Sequence, residues 1–106
     1  MDDIRIVYIV DDDPAVRQAV GIVARALRVE VRAFARAEDF LAACDESTTG
    51  CLVLDVRMPE TSGIELQRTL NAAGVRIPII MMSGHADVRM AVEAMSQGAF
   101  TFLEKP

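Results

Sequence analysis

Ile4-Arg5-Ile6-Val7-Tyr8-Ile9-Val10-Asp11-Asp12-Asp13-Pro14 is the stretch on which the fold turns. Seven residues, six of them apolar and rich in β-branched side chains, predict a strand buried on both faces, the pattern of a parallel sheet. Three aspartates stop it. Asp13-Pro14 then predicts a helix start, because Asp can cap and Pro suits the first helical position. Val16, Val20, Val23 and Leu27 follow at helical spacing and predict one apolar face. A buried strand, an acidic turn and an amphipathic helix make the first half of a βαβ unit.

The rest of the chain repeats the alternation. Glu30 to Phe34 alternates apolar and polar, as an edge strand would. Ala37, Phe40, Leu41 and Cys44 form the next helical stripe, and Asp45 to Gly50 is a polar loop. Cys51-Leu52-Val53-Leu54 is a short buried strand ending at Asp55. Met58 to Gly63 is a loop. Ser62 and Glu65 form a capping box for a helix over Ile64 to Ala73, stopped by Gly74. Ile77 to Met82 is the fourth strand. Val88, Ala91, Val92 and Met95 stripe a fourth helix that ends at Gly98, and Phe100 to Glu104 is the fifth strand. Five strands alternating with four helices predict an α/β fold with a parallel sheet and right-handed crossovers. The second and fifth strands read as edges, with the first, third and fourth inside. The pattern alone leaves the full order open.

At 106 residues the chain suits one domain, spanning residues 1–106, and 52% hydrophobic residues are enough for a core. A net charge of −5 argues against a nucleic-acid surface on this chain, which would need a basic stripe. Cys44 and Cys51 lack metal-ligand spacing and read as buried free thiols. The start Met1-Asp2-Asp3-Ile4-Arg5 is not a signal peptide, and no apolar run reaches the roughly 20 residues that span a bilayer. The expectation is a soluble cytoplasmic protein with no membrane partner.

In an open parallel sheet, ligands bind outside the carboxyl ends of the strands. Three kinds of group collect at that edge from four strands: acids after strands one and three, Ser83 after strand four and Lys105 after strand five. Adjacent carboxylates about 4 Å apart repel by about 1 kcal/mol in water and several-fold more near protein. A hard cation would offset that repulsion, and the lysine suggests an anion such as a phosphoryl group beside it. Each part alone has a plainer reading. Asp13 is a cap, Asp55 and Ser83-Gly84 are turn residues, and Lys105 is a surface lysine. Their convergence on one edge is what favours a site.

Four segments carry a family resemblance: Ile9-Val10-Asp11-Asp12-Asp13, Leu54-Asp55-Val56-Arg57-Met58-Pro59-Glu60-Thr61-Ser62-Gly63, Met82-Ser83-Gly84-His85 and Phe102-Leu103-Glu104-Lys105-Pro106. Over essentially its whole length the chain resembles the receiver domain of bacterial two-component response regulators. Ser83 to Val88 and Ala91 to Met95 further resemble the FixJ-like branch, whose members usually carry a C-terminal helix-turn-helix (LuxR-type) DNA-binding output. The resemblance implies a flavodoxin-like, doubly wound five-stranded parallel sheet in the order 2-1-3-4-5. It implies Asp55 as the phosphoacceptor, Asp11 and Asp12 as the acidic pair for Mg²⁺, and the Arg57 backbone carbonyl as a further metal ligand. Ser83 is the implied switch hydroxyl, Lys105 the phosphoryl-contacting lysine and Phe102 the switch aromatic. Of the acidic pair, Asp12 is expected to ligate directly, with Asp55, and Asp11 largely through water, because Mg²⁺ keeps several waters. The implied partners are a sensor histidine kinase, a second copy through the fourth helix and fifth strand, and DNA only through a C-terminal domain outside this chain. Lone His85 sits in a loop and reads as a surface or packing residue rather than a phosphate carrier.

The alternative is an aspartyl-phosphate phosphatase of haloacid dehalogenase type. That class places a second Asp two residues after the nucleophile, where this chain has Arg57. A nucleotide- or flavin-binding domain would need a Gly-rich loop where Asp11-Asp12-Asp13 stands. The resemblance also implies a fifth helix after Lys105-Pro106. Read as it stands, the chain is expected to be C-terminally truncated, with apolar surface uncovered beneath the fourth and fifth strands, and so to be less stable or self-associating.

Overall fold

The computed structural model describes residues 5–58, 60–84 and 88–105. The elements are β1 (Ile6–Val10), α1 (Pro14–Ala26), β2 (Glu30–Phe34), α2 (Ala37–Ala43), β3 (Cys51–Asp55), α3 (Gly63–Ala72), β4 (Ile79–Ser83), α4 (Val88–Ser96) and β5 (Thr101–Glu104). The five strands form one sheet in the order β2-β1-β3-β4-β5, and every neighbouring pair is parallel. Both expected edge strands are edges.

Strand register explains the core. Tyr8 aligns with Leu52 and Leu52 with Ile79; Val10 aligns with Leu54, Leu54 with Met81 and Met81 with Phe102. Residues in phase share a sheet face. This face carries Phe40 of α2, Leu66 and Leu70 of α3 and Ala94 of α4 in one buried cluster. Phe40 is its centre, edge-on to Tyr8 at 5.4 Å and to Phe34 at 5.7 Å. On the other face α1 lies over β1 and β2. Beside α1 a groove of about 390 Å³ runs past Val16, Val20, Met82 and Lys105.

Element ends follow local chemistry. Asp13 caps α1 by accepting from Ala15 N–H at 2.9 Å, with Pro14 at the first helical position. Ser62 caps α3 by accepting from Glu65 N–H at 3.2 Å. Strand β4 starts at Ile79, two residues later than expected, because Pro78 has no N–H to enter the ladder. It also runs one residue further, so Ser83 is the last strand residue rather than the start of a turn. Ile4, expected at the start of the first strand, lies outside the described residues.

Two helical stripes need correction. Val16 and Val20 are half-buried, but Val23 and Leu27 are 63% and 68% exposed. The buried residues of α1 are Gly21 and Ala24, small enough for close approach to the sheet. In α4 Val88, Val92 and Met95 are likewise exposed, and the buried residue is Ala94. Periodicity identified both helices, but small residues decide which side meets the sheet. Cys44 and Cys51 are free thiols and half-buried rather than buried. Burial raises both above the usual thiol range; at Cys44 the nearby Asp45 charge adds to it.

Candidate functional site

The carboxyl ends of β1, β3 and β5 gather Asp11, Asp12, Asp55 and Lys105. One carboxylate oxygen from each aspartate lies within 4.8 Å of the others, a spacing that can hold a metal ion. Lys105 Nζ stands 2.9 Å from Asp11 Oδ2 and 3.3 Å from Asp55 Oδ2. The strands fix this arrangement through their last backbone bonds. Lys105 N–H donates to Ser83 O at 2.7 Å, Val56 N–H to Met82 O at 2.9 Å and Asp11 N–H to Phe34 O at 3.1 Å.

The three acids are not equivalent. Asp11 is buried, and both its oxygens are engaged: Oδ1 accepts from Asp13 N–H at 2.9 Å and Oδ2 faces Lys105. Arg17, which the sequence reading missed, donates from Nη1 to the Asp11 carbonyl at 2.8 Å and pins the turn. Asp12 is exposed, so it can face a solvated ion directly. Asp55 is buried at 4% exposure, its Oδ1 accepting from Arg57 N–H at 3.2 Å. The donor set is all oxygen, which suits a hard divalent cation.

Burial is the main influence on Asp55 and raises its carboxyl above the usual value. The Arg57 N–H and Lys105 pull it down and the Asp11 charge pushes it up, leaving it raised. For Lys105 burial acts downward. The bond and charge of Asp11, then those of Asp55, outweigh it and leave the ammonium raised. The signs have a consequence. A carboxyl raised in the folded state contributes stability fully present below its unfolded value, near 3.9, and lost as pH rises through the raised folded value. Asp55→Asn removes that loss. At neutral pH, without added metal, the variant is expected to be more stable than the parent. The advantage should shrink as pH falls from the raised value towards the ordinary one. Denaturant melts across that range check it; an advantage that grows towards low pH contradicts the assignment.

Ser83 is fully buried at the end of β4. Met81 is the register partner of Phe102, so Ser83 and Phe102 lie on the same sheet face. Phe102 is half-buried against the core cluster. Arg57 is exposed. His85 lies outside the described residues, as do Pro59 and Pro106.

The family model for the response regulator receiver domain matches residues 7–106. The response regulator protein TodT of Pseudomonas putida is 48% identical over 101 residues, covering 95% of this chain and 44% of TodT. The transcriptional regulatory protein FixJ of Azorhizobium caulinodans is 46% identical over 100 residues, covering 94% of this chain and 47% of FixJ. The crystal structure titled FixJ-N superposes with a TM-score of 0.89 at 44% identity, covering 100% of this chain and 84% of that one. The chain spans less than half the length of these curated relatives.

Proposed function

The chain belongs to the response regulator receiver domain family, and we propose that residues 1–106 form one such domain that takes a phosphoryl group onto Asp55. The observation that carries this reading is the lysine ammonium set between two buried carboxylates, beside a third that is exposed. The phosphoryl donor is the phosphohistidine of a sensor histidine kinase. An Asp55 oxygen attacks phosphorus, the phosphorus–nitrogen bond breaks, and the imidazole nitrogen leaves with the electron pair and takes a proton.

Every step in this chain answers one difficulty, that a carboxylate and a phosphoryl group repel. When bound, Mg²⁺ supplies neutralising charge, held by Asp12, Asp55 and the Arg57 backbone carbonyl, with Asp11 acting largely through water. Asp11 suits an indirect role because the Lys105 ammonium lies closer to it, at 2.9 Å, than to Asp55, at 3.3 Å, and already offsets its charge. Lys105 is in place to hold a second phosphoryl oxygen. Phosphorylation then adds charge and acceptors at Asp55. Ser83 donates a hydrogen bond towards them, and Phe102 takes the space it vacates. The phosphate shifts a population between two packings only through its differential contacts with them.

Exposed Val88, Val92 and Met95 support a homodimer through α4 and the neighbouring β5 as the output of that shift. The transcriptional relatives support control of transcription through a separate DNA-binding domain. None of the described helices is long and apolar enough to cross a membrane, and the proposed location is the cytoplasm. The phosphatase alternative has no support. The matched family is regulatory, and Arg57 stands where that class has its second Asp.

Incubation with acetyl phosphate and Mg²⁺, followed by peptide mass spectrometry, tests the reading. One hydroxylamine-labile phosphate on Asp55 is expected, and turnover of external phosphate esters without a labelled protein would overturn it. Asp12→Ala is expected to weaken Mg²⁺ binding about tenfold or more, by titration, while leaving the metal-free fold intact or slightly more stable. Unchanged Mg²⁺ affinity would remove Asp12 from the ligand set.

A further inference from the structure

Gln67 is a fully buried polar side chain on α3, 1% exposed and facing α4. Its Nε2 donates to the Ala94 carbonyl at 2.9 Å. Its Oε1 accepts from no group among the described residues. Turning the amide over gives no relief, because two oxygens would then meet. A buried amide satisfied on one side only is unfavourable and calls for an explanation.

The surroundings supply one. Ala94 is the buried residue of α4, and its carbonyl also accepts Ala99 N–H at 3.0 Å, the bond that closes the helix ahead of Gly98. Asn71 Nδ2 donates to the Gln97 carbonyl at 3.0 Å, and Arg68 pairs with Glu93. Helix α3 therefore grips α4 by its last turns, through polar contacts. The first half of α4, which begins five residues after Ser83, leaves Val88 and Val92 exposed. At its other end α3 is tied to the Asp55 loop, since Gly63 N–H donates to Val56 O at 3.0 Å.

Resting on the phosphorylation of Asp55, we propose that Gln67 is a positioning residue that sets the balance between two seats of α4. The last turn of α4 is the pivot. The first half swings, and the swing opens the α3–α4 seam enough for water to reach Oε1. The orphan oxygen thus disfavours the seat seen here and keeps the two seats close in free energy. The loop at Asp55 then reaches α4 by two routes, through Ser83 and through α3.

Two substitutions at this one position act in opposite directions. Gln67→Leu keeps the bulk and removes the orphan, while the Ala94 carbonyl retains Ala99 N–H; it favours the closed seat. Gln67→Glu puts a carboxylate where it needs water and favours the open one. Amide hydrogen exchange over Val88–Ser96, measured without metal or phosphoryl group, is expected to slow about threefold in Gln67→Leu and to quicken about threefold in Gln67→Glu, relative to α3. By linkage, affinity for beryllofluoride with Mg²⁺ should fall by up to about threefold in the first and rise in the second. A residue needed only for packing would shift both variants the same way, and that result, or no shift in either, overturns the proposal. If Gln67→Glu does not fold, Gln67→Ala, which admits water without a charge, is tested for the same sign. Failure of the parent chain to bind beryllofluoride counts against phosphorylation at Asp55, and the exchange experiment still decides the role of Gln67.

Discussion

Asp55→Asn is expected to take up no phosphoryl group from acetyl phosphate, with labelling below about a hundredth of the parent's. An amide oxygen keeps the shape and the acceptor for Arg57 N–H, but lacks the charge that makes a carboxylate oxygen a nucleophile. The fold should survive, because Asp55 sits at the end of β3 and its removal as a charge leaves Lys105 paired with Asp11 at 2.9 Å. Lys105→Ala differs in kind. It leaves the nucleophile but removes the only ammonium near both buried acids among the described residues, so labelling should slow rather than vanish. Mass spectrometry on both variants separates the roles. If Asp55→Asn still labels fully, the acceptor is another carboxylate, with exposed Asp12 the first to test.

The sheet was legible because its signals are local and one-sided. Apolar runs of four to seven residues ended at acids, a serine or a lysine, and those endings fell at the same edge once the strands were parallel. The acidic cluster was legible for the same reason. What stayed hidden depends on contacts between distant elements. Val23 and Leu27 completed a good helical stripe, yet close approach to the sheet runs through Gly21 and Ala24. Gln67 drew no reading of its own within the helix over Ile64 to Ala73, and nothing in its neighbours foretold a bond to Ala94. Arg17 sits six residues after Asp11, so its reach to the Asp11 carbonyl needed the tight turn to exist first. For Lys105, residue type placed it near a phosphoryl group, but geometry shows a closer approach to Asp11 than to Asp55.

Gly63→Ala is expected to be among the most damaging single-methyl additions available in this chain. Gly63 opens α3 immediately after its cap, where no helical rule calls for glycine, and it is the residue at which the loop returns to β3. A methyl group there would stand 2.3 Å from the Asp55 carbonyl oxygen and 2.9 Å from Val56 Cα. Both neighbours are backbone, at the end of a buried strand, and neither can swing aside as a side chain would. Relief requires the Asp55–Arg57 segment to shift, which also breaks the Gly63 N–H bond to Val56 O. The expected loss is on the order of 3 kcal/mol, at the upper end of overpacking changes. The same shift displaces both the Asp55 carboxylate and the Arg57 carbonyl, so Mg²⁺ affinity should fall along with stability. Gly84→Ala is the matched control. It lies beside Ser83 at the same sheet edge, and none of the described residues stands within 4 Å of an added methyl. Denaturant melts of the two variants should therefore diverge, with Gly84→Ala within about 0.5 kcal/mol of the parent. Equal, small effects would mean that the backbone at Asp55 yields easily, and an edge that yields easily could not hold three carboxylates and a lysine in the geometry described.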